Sequence, residues 1–171
     1  MGNCIIRTGR QEDAESLLEI SSSVITEGNY FISTAEEFDK ESIQQQREII
    51  QGIISNEKET LIVAEVNQTV IGSIEFRSNR LKRMSHTGSI SMSIMEPYRG
   101  MGIGTLLLKA LLDWAENHPH IEKVSLGVFS TNHRAIALYK RMGFIEEGRK
   151  VREFKINEDT YVDDVLMYRF V

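Results

Sequence analysis

The segment with the most chemical content is a glycine-rich turn at residues 96–105, Glu-Pro-Tyr-Arg-Gly-Met-Gly-Ile-Gly-Thr. It lies between a predicted strand and a predicted amphipathic helix. Backbone N–H groups at the start of a helix can bind a phosphate, and glycines let the main chain approach the anion without Cβ atoms in the way. The turn therefore predicts an anion site made of main-chain amides.

Two common phosphate-binding loops do not match this turn. A P-loop requires Gly-Lys followed by Ser or Thr, and the sequence contains no such triplet. A dinucleotide-binding fingerprint requires a glycine where Thr105 stands and an acidic residue at the end of the next strand. That strand instead runs into Ser130 and Thr131. Both of these cofactor classes are therefore excluded.

A different phosphate-binding motif does match. Arg99-x-x-Gly102-x-Gly104 after an alternating strand resembles the pyrophosphate-binding motif of the GNAT superfamily of N-acetyltransferases. A second block at residues 132–144, Asn-His-Arg-Ala-Ile-Ala-Leu-Tyr-Lys-Arg-Met-Gly-Phe, is similar to that family's Asn…Ala…Leu-Tyr…Gly-Phe segment. The two blocks lie in the family's order and at its spacing. The resemblance is specific over residues 88–147 and architectural over the rest of the chain.

The resemblance implies that acetyl-coenzyme A binds as a cosubstrate, without a metal. It implies a sheet that splays open between the strands at residues 88–95 and 123–129 and admits the pantetheine arm. Backbone groups of the first strand would bond this arm, and amides of the glycine-rich turn would hold the pyrophosphate. The implied cofactor-binding residues are Met92, Ser93, Ile94, Arg99, Gly100, Met101, Gly102, Ile103, Gly104, Thr105, Asn132 and Tyr139.

Acetyl transfer to an amine needs a neutral amine, a stabilised oxyanion and a proton for the departing thiolate. The resemblance implies that Tyr139 is the general acid, since a tyrosine pKa near ~10 lies above the roughly 8.5 of a thiol. It assigns the oxyanion to a backbone N–H near Ile94 or Met95 and places Asn132 near the sulfur. The residues alone also allow simpler roles, because Tyr139 lies on an apolar helical stripe and Asn132 could be a helix N-cap.

The group that deprotonates the amine stays open at this stage. Relatives that acetylate protein N-termini often carry a glutamate in the strand before Asn132, and this chain has Gly127 at the matching position. Glu75 lies on the preceding hairpin strand, from which other family members activate the amine through water. We predict Glu75 as the base, with an exposed strand carboxylate as its alternative role. Glu96, the first residue of the 96–105 segment, is a further alternative.

The resemblance places the acceptor between the first two helices and the final hairpin. Acidic and aromatic groups in that region suit a cationic amine, so we expect a polyamine, an amino acid or another small amino compound. A protein or peptide N-terminus is an alternative acceptor, and a non-catalytic acyl-CoA-binding sensor is an alternative function. The predicted acceptor-binding residues are Glu27, Tyr30 and Phe31, with Glu37, Glu158 and Asp159 nearby.

The elements that must position these residues follow from hydrophobic periodicity and turn signals. Gly28-Asn29 predicts the stop of the first helix, Thr34 followed by Glu37 predicts a capping box at the start of the second, and Asn67-Gln68 predicts a tight turn between two strands. Together they predict an α/β fold of the GNAT type, with a mixed central sheet of about seven strands and about four flanking helices, in one domain over residues 1–171. Parallel pairing is expected where helices intervene, and antiparallel pairing in the hairpins. The predicted strands are residues 4–7, 60–66, 70–77, 88–95, 123–129, 144–156 and 161–170, and the predicted helices are 11–25, 34–54, 104–117 and 132–142.

Composition narrows the function classes further. The chain has 171 residues, 41% hydrophobic and 26% charged, which is typical of a globular domain. Its formal net charge of -5 argues against a surface built to hold nucleic acid or an anionic membrane. One cysteine, Cys4, permits no internal disulfide, and no signal peptide is evident, so we expect a cytoplasmic protein. The resemblance also implies a homodimer.

Overall fold

The structure is a computed structural model, and it describes residues 4–28, 30–38 and 42–171. Within these residues, seven strands form one mixed sheet in the order β1-β2-β3-β4-β5-β7-β6, so the predicted sheet is confirmed. The strands are β1 (Cys4–Thr8), β2 (Thr60–Val66), β3 (Thr69–Ser78), β4 (Thr87–Ile94), β5 (Lys123–Phe129), β6 (Ile145–Lys155) and β7 (Tyr161–Phe170). The helices are α1 (Ala14–Thr26), α2 (Ala35–Phe38), α3 (Ile43–Ile54), α4 (Ile103–Glu116) and α5 (His133–Arg141).

The single helix predicted over residues 34–54 is wrong, because α2 and α3 are separate elements. The predicted capping box at the start of α2 does form, with the Thr34 N–H donating to the Glu37 carboxylate at 2.8 Å. A second capping box begins α3, where the Ser42 hydroxyl accepts from the Gln45 N–H at 3.2 Å. Ser-x-x-Gln is a helix-start signal, so the sequence contained the evidence for this division. The junction at residues 39–41 lies outside the described residues.

Two predicted turns depend on left-handed backbone. Asn67 and Gln68 have φ angles of 51° and 66° and form the predicted tight turn between β2 and β3. Positive φ at both central residues matches the right-handed twist of the paired strands. Gly28 has a φ of 68° directly after α1, as the predicted helix stop requires. Asn29, the other half of that predicted stop, lies outside the described residues.

The helices cover both faces of the sheet. Neighbouring residues of a strand point to opposite faces, and Leu61 and Ile62 of β2 pack in two different hydrophobic clusters. The α1/α3 core contains Leu17, Ile20, Ile50, Ile53, Leu61 and Val63, whereas the α4/α5 core contains Ile62, Ile74, Phe76, Leu107, Leu108 and Leu111. Among the helices described, none is long and apolar enough to cross a membrane.

Candidate functional site

The sheet opens between β4 and β5. These two strands are parallel, and their last registered pair is Ser89 with Ser125. Beyond that pair, β4 continues to Ile94 and β5 to Phe129 with no registered pairing between them. Because β4 stays paired with β3 as far as Ile94, the opening lies only on the β5 side. The expected parting of these two strands is therefore present, and we call the region between their unpaired halves the cleft.

The direction of the backbone N–H groups at the end of β4 identifies which amide faces this cleft. The Met95 N–H donates to the Ile71 carbonyl at 3.0 Å and therefore points toward β3. N–H groups alternate in direction along a strand, so the Ile94 N–H points to the opening. Of the two N–H groups expected to donate to the oxyanion, that of Met95 already donates to β3 within the sheet. The Ile94 amide is the one that faces the cleft.

The glycine-rich turn leaves a row of amides without protein partners. Gly100 and Gly102 have φ angles of 84° and 86°, a region that favours glycine. The Arg99 N–H donates to the Glu96 carbonyl at 3.1 Å, and the Thr105 N–H donates to the Gly102 carbonyl at 3.0 Å. Within the described chain, no acceptor binds the N–H groups of residues 100–104. Five of the seven predicted amides are thus available to an anion.

The space in front of these amides is open. An added Cβ at Gly102 would meet no atom within 4 Å, whereas one at Gly104 would lie 3.2 Å from the Leu138 side chain. Gly102 therefore faces the open side of the turn, and Gly104 lets the start of α4 pack closely against α5. These positions allow an anion to reach the start of α4, where the helix dipole favours negative charge.

Arg134, in the second motif block, is a candidate site residue whose role the sequence alone did not indicate. Its guanidinium would lie 3.1 Å from a Cβ placed on Gly100, so it stands beside the row of free amides. Arginine binds phosphate oxygens through charge-assisted hydrogen bonds. The available signal was its position two residues after Asn132, which brings the first turn of α5 toward the glycine-rich turn.

The Arg99 side chain points away from the free amides. Its Nε donates to the Ile94 carbonyl at 2.8 Å, and its two terminal nitrogens donate to both Glu27 oxygens at 2.5 and 2.7 Å. Both side chains are partly buried. The ion pair joins the end of α1 to the glycine-rich turn and to the end of β4. Glu27, expected from the sequence to contact the acceptor, has both carboxylate oxygens engaged by Arg99.

Replacing Glu27 with alanine is expected to lower the free energy of unfolding by about 1–3 kcal/mol, because it leaves a partly buried guanidinium without its partner. Chemical denaturation of the wild type and the variant measures this difference. Glu19→Ala is the matched control, since Glu19 is an exposed glutamate on the same helix. Equal losses in the two variants would contradict a stabilising Glu27–Arg99 pair.

Tyr139 has a buried ring. It is 8% exposed, and its ring centroid lies 5.7 Å from that of Phe144. Its helical stripe packs against the α4/α5 core, so the core role is confirmed. Burial raises the pKa of Tyr139 to about 12. Within the described residues the Tyr139 hydroxyl has no hydrogen-bond partner. Because no fully buried side-chain oxygen lacks a partner there, this hydroxyl must be accessible to solvent.

Asn132 is the N-cap of α5. Its side-chain oxygen accepts from the Ala135 N–H at 3.1 Å, which satisfies one of the free amides at the helix start. The N-cap role considered from the sequence is therefore confirmed. Its expected contact with the cofactor stays a prediction.

Glu75 lies on β3, where it registers with Leu61 and Ser91 on either side. Burial raises the pKa of the Glu75 carboxyl; Arg77 acts against this rise and Glu59 adds to it. Ser91 is three residues from Ile94, which is roughly 10 Å along the strand. Glu75 is therefore outside direct reach of the cleft amide and would need an intervening water to act there.

The remaining predicted acceptor residues lie in two places, after the end of α1 and in the turn between β6 and β7. Phe31 is partly buried and packs against the α1/α3 core, and Tyr30 is 44% exposed. Glu158 and Asp159 are exposed in the turn between β6 and β7. Tyr30 is the one of these aromatic groups with a large free surface.

Family comparison agrees with this geometry. Residues 26–144 match the model of the acetyltransferase (GNAT) family, and the chain belongs to this family. It is 27% identical over 170 residues to an N-alpha-acetyltransferase of Sulfurisphaera tokodaii, a match that covers 92% of this chain and 89% of that protein. It is also 28% identical to the spermidine N(1)-acetyltransferase of Vibrio cholerae, covering 68% and 65% of the two chains.

Other relatives extend the range of acceptors. The L-amino acid N-acetyltransferase AaaT of Escherichia coli is 25% identical, and the match spans 63% of this chain and 66% of that enzyme.

A GNAT acetyltransferase structure from Streptococcus pneumoniae shares the fold with a TM-score of 0.93 at 24% identity, covering 99% and 100% of the chains. The yncA structure from Salmonella typhimurium, solved with its cofactor acetyl-CoA, aligns with a TM-score of 0.88 at 18% identity, covering 99% and 94%.

Proposed function

We propose that this protein transfers the acetyl group of acetyl-CoA to a primary amine of a small cationic metabolite, by direct attack in a ternary complex. The observation that carries the proposal is that an unpaired strand edge and a row of unpaired amides lie side by side. The free edge of β4 lies next to five unpaired amides of the glycine-rich turn. A cosubstrate with an extended amide-bearing arm and a diphosphate fits such a combination.

Acetyl-CoA binding would use main-chain groups on both sides of the cleft opening. The backbone of Met92, Ser93 and Ile94 would bond the pantetheine arm as an added strand. The amides of residues 100–104 would hold the pyrophosphate, with the Arg134 guanidinium beside them. The open space in front of Gly102 supports this placement.

The bound thioester supplies the acetyl group, and the chain supplies the polar groups around it. The Ile94 N–H would donate to the oxyanion, and the Tyr139 hydroxyl would donate its proton to the departing sulfur. Asn132 would lie near the same sulfur. Glu75 would take the proton from the amine through water, and its raised pKa supports this because it makes the carboxylate a stronger base.

The acceptor class is supported by charge and by the relatives. The net charge is -5, and Tyr30 offers an exposed aromatic surface near the end of α1. Related proteins include an L-amino acid and a spermidine acetyltransferase. A protein or peptide N-terminus is the alternative acceptor, favoured by related N-alpha-acetyltransferases. A non-catalytic acyl-CoA sensor is the alternative from another functional class.

The proposal predicts that acetyl-CoA binds in calorimetry and that at least one primary amine releases coenzyme A from it. A panel of polyamines, amino acids and short peptides, read by thiol release, measures the second step. We expect a small cationic amine to give the highest kcat/KM. Tight binding without turnover of any amine would favour the sensor. Absence of acetyl-CoA binding by folded protein would overturn the proposed function.

Further features of the protein stay predictions. We propose that residues 1–171 act as one acetyltransferase domain in the cytoplasm, and that two copies form a homodimer. We expect no nucleic-acid or membrane partner, in keeping with the net charge of -5. Light scattering of the purified protein tests the dimer.

A further inference from the structure

The carboxylate of Asp164 lies directly over Gly127. Asp164 is on β7, where it pairs with Phe129 of β5, and Gly127 pairs with Leu166, two residues further along β7. A Cβ built on Gly127 would meet the Asp164 Oδ1 at 2.6 Å and Oδ2 at 3.1 Å. The absence of a side chain at position 127 is therefore what makes room for this carboxylate. The volume that a side chain at position 127 of β5 would occupy is filled by a carboxylate from the adjacent strand.

Asp164 is a mostly buried residue whose carboxylate has one exposed ion-pair partner and still reaches the solvent. It is 8% exposed, and its ion-pair partner is Lys150 of β6 at 3.6 Å. The Lys150 side chain is itself 52% exposed, which weakens the pair. Among the described residues no fully buried side-chain oxygen lacks a partner, so the Asp164 oxygen that Lys150 leaves unpaired reaches the solvent. A carboxylate with one exposed lysine as its ion-pair partner and one oxygen open to solvent can accept a second cationic partner.

Asp164 lies on the sheet face opposite Tyr139. Its neighbour Val165 packs in the α4/α5 core, so Asp164 points to the α1/α3 side. Phe129 shares that side, and its ring stacks on Phe154 with centroids 4.3 Å apart. A carboxylate beside aromatic rings is suited to an ammonium group, which is attracted by the charge and by the ring faces. This arrangement lies at the half of β5 that has parted from β4.

We propose that Asp164 is the carboxylate that receives the acceptor's ammonium group as it binds, before that group loses its proton for the attack, a specificity-determining role. The inference rests on the proposed function, because it places the acceptor on the α1/α3 side of the same cleft. The Asp164 carboxylate, placed over Gly127, would select acceptors with a positive charge near the cleft and disfavour neutral or anionic ones. Phe129 and Phe154 would form the apolar wall beside that charge.

The test is calorimetric titration of coenzyme A-loaded protein with three probes: spermidine, L-methionine and the dipeptide Ala-Ala. For the best-binding probe, Asp164→Asn is expected to raise the Kd about 30-fold while the affinity for coenzyme A is unchanged. Lys150→Met is the matched control, because it breaks the ion pair and keeps the carboxylate, and its Kd should stay within about two-fold of wild type. Thermal melts of each variant confirm folding.

A second variant moves the carboxylate back to β5. Gly127→Asp combined with Asp164→Ser removes the collision and restores the charge, so the Kd should return to within about five-fold of wild type. Three results would overturn the proposal: no probe binding to wild type, unchanged binding by Asp164→Asn, or an equal loss in Lys150→Met. Turnover is measured separately, so a protein that binds amines through Asp164 but never acetylates them would refute only the proposed function.

Discussion

Gly102→Asp is expected to weaken acetyl-CoA binding by about 100-fold or more. Gly102 faces open space in the centre of the free amides, so a new side chain would enter the volume proposed for the pyrophosphate. A carboxylate about 4 Å from a phosphate charge costs up to roughly 4 kcal/mol at an effective dielectric constant of 20, and each 1.4 kcal/mol is tenfold in affinity. Calorimetric titration with acetyl-CoA measures the change.

The matched control is Gly102→Asn, which has nearly the same shape without the charge. Both asparagine and aspartate tolerate the left-handed backbone that Gly102 adopts, so the strain cost is similar in the two variants. We expect Gly102→Asn to lose several-fold in affinity and Gly102→Asp much more, with the difference shrinking at high salt. Equal affinities for the two variants would show that no anion binds at this turn.

The fold was predictable because its signals are local. Alternation along residues 88–95 and the two-residue turn at Asn67 and Gln68 each specify an element without reference to distant parts of the chain. The prediction failed at α2 and α3, where the capping box at Thr34 was recognised and the one at Ser42 was not. The apolar spacing runs through both helices, so only the second cap marks the division.

The candidate site was only partly predictable, because several of its contacts join distant segments. The amides of residues 100–104 follow from a local motif. The pairing of Arg99 with Glu27 joins residues 72 positions apart, and it gives a motif arginine a structural partner that spacing does not reveal. Asp164 was missed for the same reason, since only the β5–β7 register brings it over Gly127.

The Arg99–Glu27 pair has a consequence for how the site is assembled. Arg99 also binds the Ile94 carbonyl, so one side chain holds the end of β4, the start of the glycine-rich turn and the end of α1. The residues expected to contact the acceptor, Tyr30 and Phe31, come a few positions after the end of α1 in the sequence. The ion pair therefore anchors the start of the segment proposed to bind the acceptor next to the turn proposed to hold the cofactor, an arrangement that would favour a ternary complex.

Tyr139→Phe is expected to lower kcat by about 100-fold with little change in the KM for acetyl-CoA, because it removes only the proton donated to the departing sulfur. Burial raises the pKa of Tyr139 to about 12, so the hydroxyl stays protonated at neutral and moderately alkaline pH. The wild-type kcat should consequently show no loss from tyrosine ionisation between pH 8 and 10, where an ordinary tyrosine already begins to ionise. Steady-state kinetics with the best amine from the panel, measured across this pH range, give both kcat and the KM for acetyl-CoA.

Tyr161→Phe, which removes a hydroxyl from an exposed tyrosine, is the control and should match wild type. If Tyr139→Phe also matched wild type, the sulfur would be protonated by another group and Tyr139 would serve only the α4/α5 core.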